Sequence, residues 1–120
     1  MAEIVYVYGT LRPGSTETVQ IPGKLYDLGW FPGMIFTPLT DPDDNSVVCE
    51  RLEVENLGNL DRYEGFSLEF PDSSFYIRRS MLDGWIYEFN QKVNPVKQIF
   101  SGDWLDYTQQ ERGTNAHYLC

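Results

Sequence analysis

Close to the N-terminus a hydrophobic run passes abruptly into a glycine: Ile4, Val5, Tyr6, Val7 and Tyr8 are followed by Gly9-Thr10-Leu11-Arg12-Pro13-Gly14. Five consecutive β-branched or aromatic residues read as a buried strand. Gly9 ends it, and Pro13-Gly14 marks a turn shortly after. Backbone N–H groups at such an end have no neighbouring side chain to screen them, so they can hold an anion or a carbonyl oxygen. Taken alone, the stretch also fits a strand followed by an ordinary loop.

The remainder is punctuated in similarly short units. Ser15 to Gly23 is polar, without a helical period, and reads as a connection. Lys24 to Leu28 alternates as a strand does, and Gly29, Pro32 and Gly33 separate it from the apolar run Met34-Ile35-Phe36. Thr37 to Ser46 is a turn-rich loop, and Val47 to Val54 reads as a strand. At Asn56 the period changes. Leu57, Leu60 and Tyr63 recur every three residues, which predicts one face of a short helix, N-capped by Asn56 and ended by Gly65. Two turns are too short to stand without packing on a sheet. After a loop from Phe66 to Ser74, Phe75–Leu82 and Trp85–Phe89 form a hairpin joined by Asp83-Gly84, with Trp85, Tyr87 and Phe89 on one face. Asn90 to Val96 loops out, Ile99-Phe100 is a last short strand, and residues 109–120 read as a flexible tail.

Six or seven short strands with one short helix place the chain in the α+β class, as a small mixed, curled β-sheet or barrel. A length of 120 residues fits one domain spanning 1–120. Apolar and aromatic fractions of 42% and 15% exclude intrinsic disorder. The net charge of −9 argues against a nucleic-acid or anionic-membrane partner. No apolar run approaches ~18 residues and Met1-Ala2-Glu3 is no signal peptide, so a soluble, cytoplasmic protein is expected.

Several chemistries fall away. Cys49 sits in an apolar strand and Cys120 at the end of the chain, which makes no disulfide framework. Cys49 reads as a small buried hydrophobe and Cys120 as an exposed thiol. A lone His117 beside two distant cysteines forms neither a catalytic triad nor a zinc site. Asp41 to Ser46 carries alternate acidic residues, but Ser46 and Leu52 stand where a calcium loop needs glycine and glutamate.

Glu64 resists a bland reading. It closes Leu60-Asp61-Arg62-Tyr63-Glu64-Gly65, at the negative end of the predicted helix dipole, where a carboxylate is disfavoured. Flanking Tyr63 and Phe66 would desolvate it further, and both effects raise a carboxyl pKa, as a base that later acts as an acid requires. On local grounds the alternatives stay open: Glu64 in solvent, or paired with Arg62 or Arg78.

Together these stretches resemble the γ-glutamylcyclotransferase-like superfamily, and more closely its short AIG2-like members. Tyr8-Gly9-Thr10-Leu11-Arg12-Pro13-Gly14 is similar to the family's first-strand signature. Leu25-Tyr26-Asp27-Leu28-Gly29 with Phe31-Pro32-Gly33 is similar to its second block, and Leu60 to Gly65 to the block bearing its glutamate. Tyr76-Ile77-Arg78 and Ser101-Gly102-Asp103-Trp104 also have counterparts. The resemblance implies a small mixed barrel with a cavity at one end. It implies that Tyr8, Gly9, Thr10 and Leu11 hold a glutamyl group, that Tyr76 helps orient it, and that Glu64 is the general acid/base. The implied reaction cyclises a small-molecule γ-glutamyl amine or peptide to 5-oxoproline, without metal or cofactor, because the nucleophile is the substrate's own amine. The segment after Gly14 is shorter than in most members, which leaves one cavity wall open or completed by a second copy in a homodimer. The competing expectation is a non-catalytic module that keeps the cavity to bind a small ligand.

Overall fold

The opening run forms β1 (Glu3–Val7), and its alternation divides the interior in two. Val5 and Val7 join one buried cluster with Phe66, Tyr76 and Tyr87. Tyr6, with Tyr8 just beyond the strand, joins the other, which contains Ile21, Leu25, Met34, Val47, Cys49, Ile86, Ile99 and Trp104. A strand covered on both faces needs apolar residues at consecutive positions, which is what the run Val5 to Tyr8 supplies. The computed structural model describes residues 2–14, 17–38 and 43–109. The expectations for His117, Cys120, the tail beyond Gln109 and the Asp41-Pro42 part of the acidic loop lie outside the described residues.

Among the described residues six further strands follow: β2 (Val19–Asp27), β3 (Pro32–Phe36), β4 (Ser46–Val54), β5 (Tyr76–Met81), β6 (Gly84–Phe89) and β7 (Gln98–Ile99). They make one sheet in the order β3-β2-β4-β1-β6-β5, with β7 added on β2. All ladders are antiparallel except β1 with β6. The two nine-residue strands change partners along their length. Val19–Pro22 of β2 pairs with β4, whereas Gly23–Asp27 pairs with β3. Likewise β4 offers Ser46–Cys49 to β2 and Glu50–Val54 to β1. Each change of partner bends the sheet, and the result is a curled mixed half-barrel. Its flanks approach where Gly33 of β3 meets Phe89 of β6: a Cβ on Gly33 would stand 2.9 Å from the Phe89 ring. The amide of Phe36 donates there to Glu88 Oε2 at 3.0 Å.

Among the described residues two short α-helices flank the sheet, α1 (Leu57–Tyr63) and α2 (Trp104–Tyr107). Among the described residues no helix is long and apolar enough to cross a membrane.

Three expectations are corrected. The stretch up to Gly23 is not all connection, because Val19 to Gly23 belongs to β2 despite its proline. Pro22 lies opposite Ser46 at the end of the β2–β4 ladder, where its missing N–H costs least. Residues 104–107 add a second helix, capped by Asp103, whose side chain accepts from the Asp106 amide. Finally, the hairpin turns on Leu82-Asp83 rather than Asp83-Gly84. Met81 pairs with Gly84, and Leu82 takes the left-handed conformation at φ 52°. Gly84 is required for a different reason: a Cβ there would lie 2.2 Å from the Ile4 carbonyl oxygen, so only glycine lets β6 lie beside β1.

Candidate active site

Helix α1 positions Glu64 through its own ends. The Asn56 side chain accepts from the Asn59 amide at 3.0 Å, closing the first turn. At the other end Glu64 is the last αR residue (φ −83°, ψ −3°) and Gly65 is left-handed at φ +68°. The Gly65 amide donates to Arg62 O at 3.2 Å and the Phe66 amide to Asp61 O at 2.8 Å. This pair of bonds is a Schellman motif, and it fixes Glu64 at the point where the chain leaves the helix.

The buried face of α1 differs from the expected one. Tyr63 is 48% exposed, whereas Asp61 and Glu64 are buried at 8% and 5%. The stripe facing the sheet is Leu57, Leu60, Asp61 and Glu64, at i, i+3, i+4 and i+7, so two carboxylates occupy positions normally apolar. Asp61 is accommodated by partners. It accepts from the Tyr87 hydroxyl at 2.6 Å and lies 3.4 Å from Arg78 Nε. The Arg78 guanidinium in turn stacks over Trp85, 4.5 Å from the ring centroid. Burial pushes the Tyr87 hydroxyl well above the usual tyrosine range, and its bond to the Asp61 carboxylate adds to the effect. Arg78 is thus paired with Asp61, and Arg62 hydrogen-bonds Asn59.

Glu64 shares a small cavity with Tyr6, Val7, Tyr8, Leu11, Leu60 and Tyr87. Its volume of about 10 Å³ is room for roughly one water. Leu11 and Leu60 also line a larger, more open outer cavity of about 520 Å³, so the small inner cavity and this outer one share these two side chains. On its other side Glu64 lines a third cavity, about 320 Å³, with Phe31, Arg62, Tyr63, Gly65, Phe75 and Tyr76.

The loop after β1 is held by buried charge. Arg12 Nε donates to Glu50 Oε2 at 2.7 Å and Nη1 to Asp103 Oδ1 at 2.8 Å, with the Arg12 and Glu50 side chains only 5% and 1% exposed. The Gly14 amide also donates to Glu50 Oε2, and the Arg12 amide to Gly9 O. β4 and the start of α2 therefore clamp the loop from two sides. Within it, Gly9 is buried, and the Tyr8 hydroxyl donates to Tyr87 O at 2.6 Å. Thr10 Oγ1 is buried without a hydrogen-bond partner among the described residues. Buried hydroxyls are nearly always paired, so this one is available to a ligand oxygen.

Of the residues expected at the site, Tyr8, Leu11 and Glu64 line one cavity. Gly9 and Thr10 lie in the same clamped loop without being among its walls. Tyr76 lines the 320 Å³ cavity beside Glu64, but its hydroxyl is engaged with Pro32 O at 2.7 Å. The sequence reading missed Asp61, Arg78 and Tyr87 as one network, and Arg12 with Glu50 and Asp103 as another. Asp61 stood three positions before Glu64, on one helical face, but a search for apolar spacing passes over an aspartate. Among the described residues no three His, Cys, Asp or Glu side chains are grouped to hold a metal ion.

Fold and site together are those of a curled half-barrel in which a buried carboxylate shares a cavity with residues of a clamped strand-to-loop turn. Residues 5–106 match the family model described as gamma-glutamyl cyclotransferase, AIG2-like, and the chain belongs to this family. Similar relatives include the Escherichia coli K12 gamma-glutamylcyclotransferase family protein YtfP, 29% identical over 116 residues, covering 85% of this chain and 96% of YtfP. Another is a putative gamma-glutamylcyclotransferase of Vibrio cholerae, 29% identical over 117 residues, covering 87% and 96%. Among solved structures, YkqA of Bacillus subtilis superposes with a TM-score of 0.67 at 23% identity, covering 96% of this chain and 44% of YkqA. The uncharacterized protein PH0828 of Pyrococcus horikoshii does so at 0.62 and 16% identity, covering 94% and 98%. At these identities the two structures speak for the fold.

Proposed function

We propose that this protein cyclises a γ-glutamyl amine or γ-glutamyl peptide, releasing 5-oxoproline and the free amine, with Glu64 as general acid/base. The observation that carries the reading is the buried Glu64 carboxylate in one cavity with Tyr8 and Leu11 of the clamped loop.

The substrate's α-amine attacks its own γ-carbonyl carbon, and the new C–N bond closes a five-membered ring. Glu64 takes the proton from the attacking nitrogen and delivers it to the leaving nitrogen as the γ-amide bond breaks. No water is consumed and no group of the protein becomes covalently attached. Holding the glutamyl arm bent supplies much of the rate, since the reaction is intramolecular. The backbone amides of Gly9 to Leu11, with the unpartnered Thr10 hydroxyl, are suited to the substrate carboxylate or the developing oxyanion. The clamp of Arg12 on Glu50 and Asp103 keeps those amides in place without binding substrate. Because the inner cavity holds only about one water, a glutamyl group enters by displacing Leu11 and Leu60 toward the outer cavity. Tyr76 contributes a wall with its ring, its hydroxyl being engaged elsewhere.

The test is 5-oxoproline release from a panel of γ-glutamyl amines and peptides, by the native protein and by Glu64→Gln, which keeps size and removes the base. The expected result is release by the native protein that drops by ~10²-fold or more in the variant. Equal release by both would refute the role of Glu64. No release from any substrate, with stoichiometric binding instead, would favour the ligand-binding module.

A further inference from the structure

A cavity of about 630 Å³ lies apart from the small one that Glu64 lines with Tyr8 and Leu11. It is walled by Leu28, Phe31, Phe75 and Phe89, with Lys92 and Lys97 at its edge and Asp27, Gly29 and Asn94 completing it. Its size is in the range of small-molecule sites, and three aromatic rings give it planar, apolar surface.

Its charge is unusual for this protein. In a chain of net charge −9, each of the five described arginines is already engaged. Arg12, Arg51, Arg78 and Arg79 form ion pairs with carboxylates, and Arg62 bonds Asn59. Among the described residues the three lysines, Lys24, Lys92 and Lys97, form no ion pair with a carboxylate, and two of them, Lys92 and Lys97, line this one cavity. The single carboxylate in the wall, Asp27, is occupied: its Oδ1 accepts from the Gly29 amide at 2.8 Å and its Oδ2 from the Tyr107 hydroxyl at 2.7 Å.

The site is also held in shape. Phe75 is 63% exposed, an expensive state for a phenyl ring, yet its backbone is pinned on both sides. Its amide donates to Gly65 O at 3.1 Å, and its carbonyl accepts from the Asn90 amide at 2.8 Å. The Asn90 and Gln91 side chains donate to Ser74 O, which ties the lysine-bearing segment to the segment bearing Phe75. An aromatic surface and two free ammonium groups are therefore offered together by backbone that is already ordered.

We propose that this cavity is a second ligand site, for a small aromatic carboxylate whose ring packs between Phe31, Phe75 and Phe89 and whose anionic end pairs with Lys92 and Lys97. The site is separate from the proton-transfer chemistry assigned to Glu64 and does not depend on it. Phe31 and Phe75 line both this cavity and the 320 Å³ cavity at Glu64, so the two spaces share a wall.

The test uses 3-phenylpropionate as probe, with the isosteric 3-phenylpropionamide and acetate as comparisons, followed by amide chemical shifts of the intact protein. Expected are saturable shifts at Leu28, Gly29, Phe75, Phe89 and Lys92 with the phenyl carboxylate, and about fivefold weaker binding of the amide. Lys92→Gln with Lys97→Gln should weaken the carboxylate by a similar factor, whereas Lys24→Gln and Glu64→Gln should leave it unchanged. The proposal is overturned by the absence of saturable shifts, by equal binding of carboxylate and amide, or by shifts centred on Tyr8, Leu11 and Glu64. Unchanged binding in the double lysine variant overturns it as well.

Discussion

Arg78→Met isolates what the buried network under α1 is worth. The substitution keeps an unbranched side chain of similar reach over Trp85 and removes the charge that faces Asp61. Asp61 is 8% exposed and would be left with one strong donor, the Tyr87 hydroxyl at 2.6 Å. Removing one partner of a buried pair costs about 3–5 kcal/mol. Here the surviving Tyr87 bond and the 3.4 Å separation argue for the lower end, about 3 kcal/mol. Loss of the cation–π contact with Trp85 adds roughly 0.5–1 kcal/mol, which burial of the methionine side chain about offsets. With a urea m-value of about 1.5 kcal/mol/M, the midpoint of unfolding should fall by about 2 M. Asp61→Asn keeps an acceptor for Tyr87 and leaves Arg78 its aromatic faces, so it should cost less, about 1–2 kcal/mol. The double variant has no unpaired buried charge, and its cost should fall below the sum of the singles by about 1 kcal/mol or more. Urea unfolding of the three variants decides the matter. A loss below about 1 kcal/mol for Arg78→Met, or additivity within about 0.5 kcal/mol, would show that the pair is not coupled as described.

The other predictions concern the sheet. Gly84→Ala should cost more than about 3 kcal/mol, because its Cβ would stand 2.2 Å from Ile4 O, whereas Leu82→Asn should be neutral or stabilising at φ 52°; thermal unfolding of the two variants checks the contrast. Burial pushes the Cys49 thiol up to about 12, so the folded state resists losing that proton. The sign follows directly: Cys49 contributes fully below the unfolded thiol value near ~8.5, and its contribution declines as pH rises from there toward the folded value. Stability measured between pH 8.5 and 10 should therefore fall by up to about 1.4 kcal/mol per pH unit from this group, and Cys49→Val should remove that slope. In native protein the same thiol should react with a thiol reagent only through unfolding, and alkylation at the rate of a free peptide thiol would refute its burial.

What could be read from the chain alone was whatever short-range geometry decides. Ile4 to Tyr8 had to be a buried strand because apolar residues at consecutive positions suit covered faces on both sides. Asn56 and Gly65 bounded a helix because each satisfies orphan backbone groups within a few residues of itself. The family signature was legible because it is written in blocks of local sequence, one of which carries Glu64. Their meeting in one cavity was implied by resemblance, and the approach itself is made by the fold. Tertiary structure alone decided the rest. Val19 to Pro22 became strand because β4 supplied a partner that no local pattern announces. Gly84 looked like a turn residue, and its true constraint is the Ile4 carbonyl of a strand some eighty residues earlier. Asp61 carried no local signal of burial, and it is Tyr87 and Arg78, brought in by β6 and β5, that make its burial tolerable. The physical reason is common to all three. Propensities and caps are set by neighbours along the chain, whereas burial of a charge, a missing Cβ or a strand's partner is set by neighbours across it.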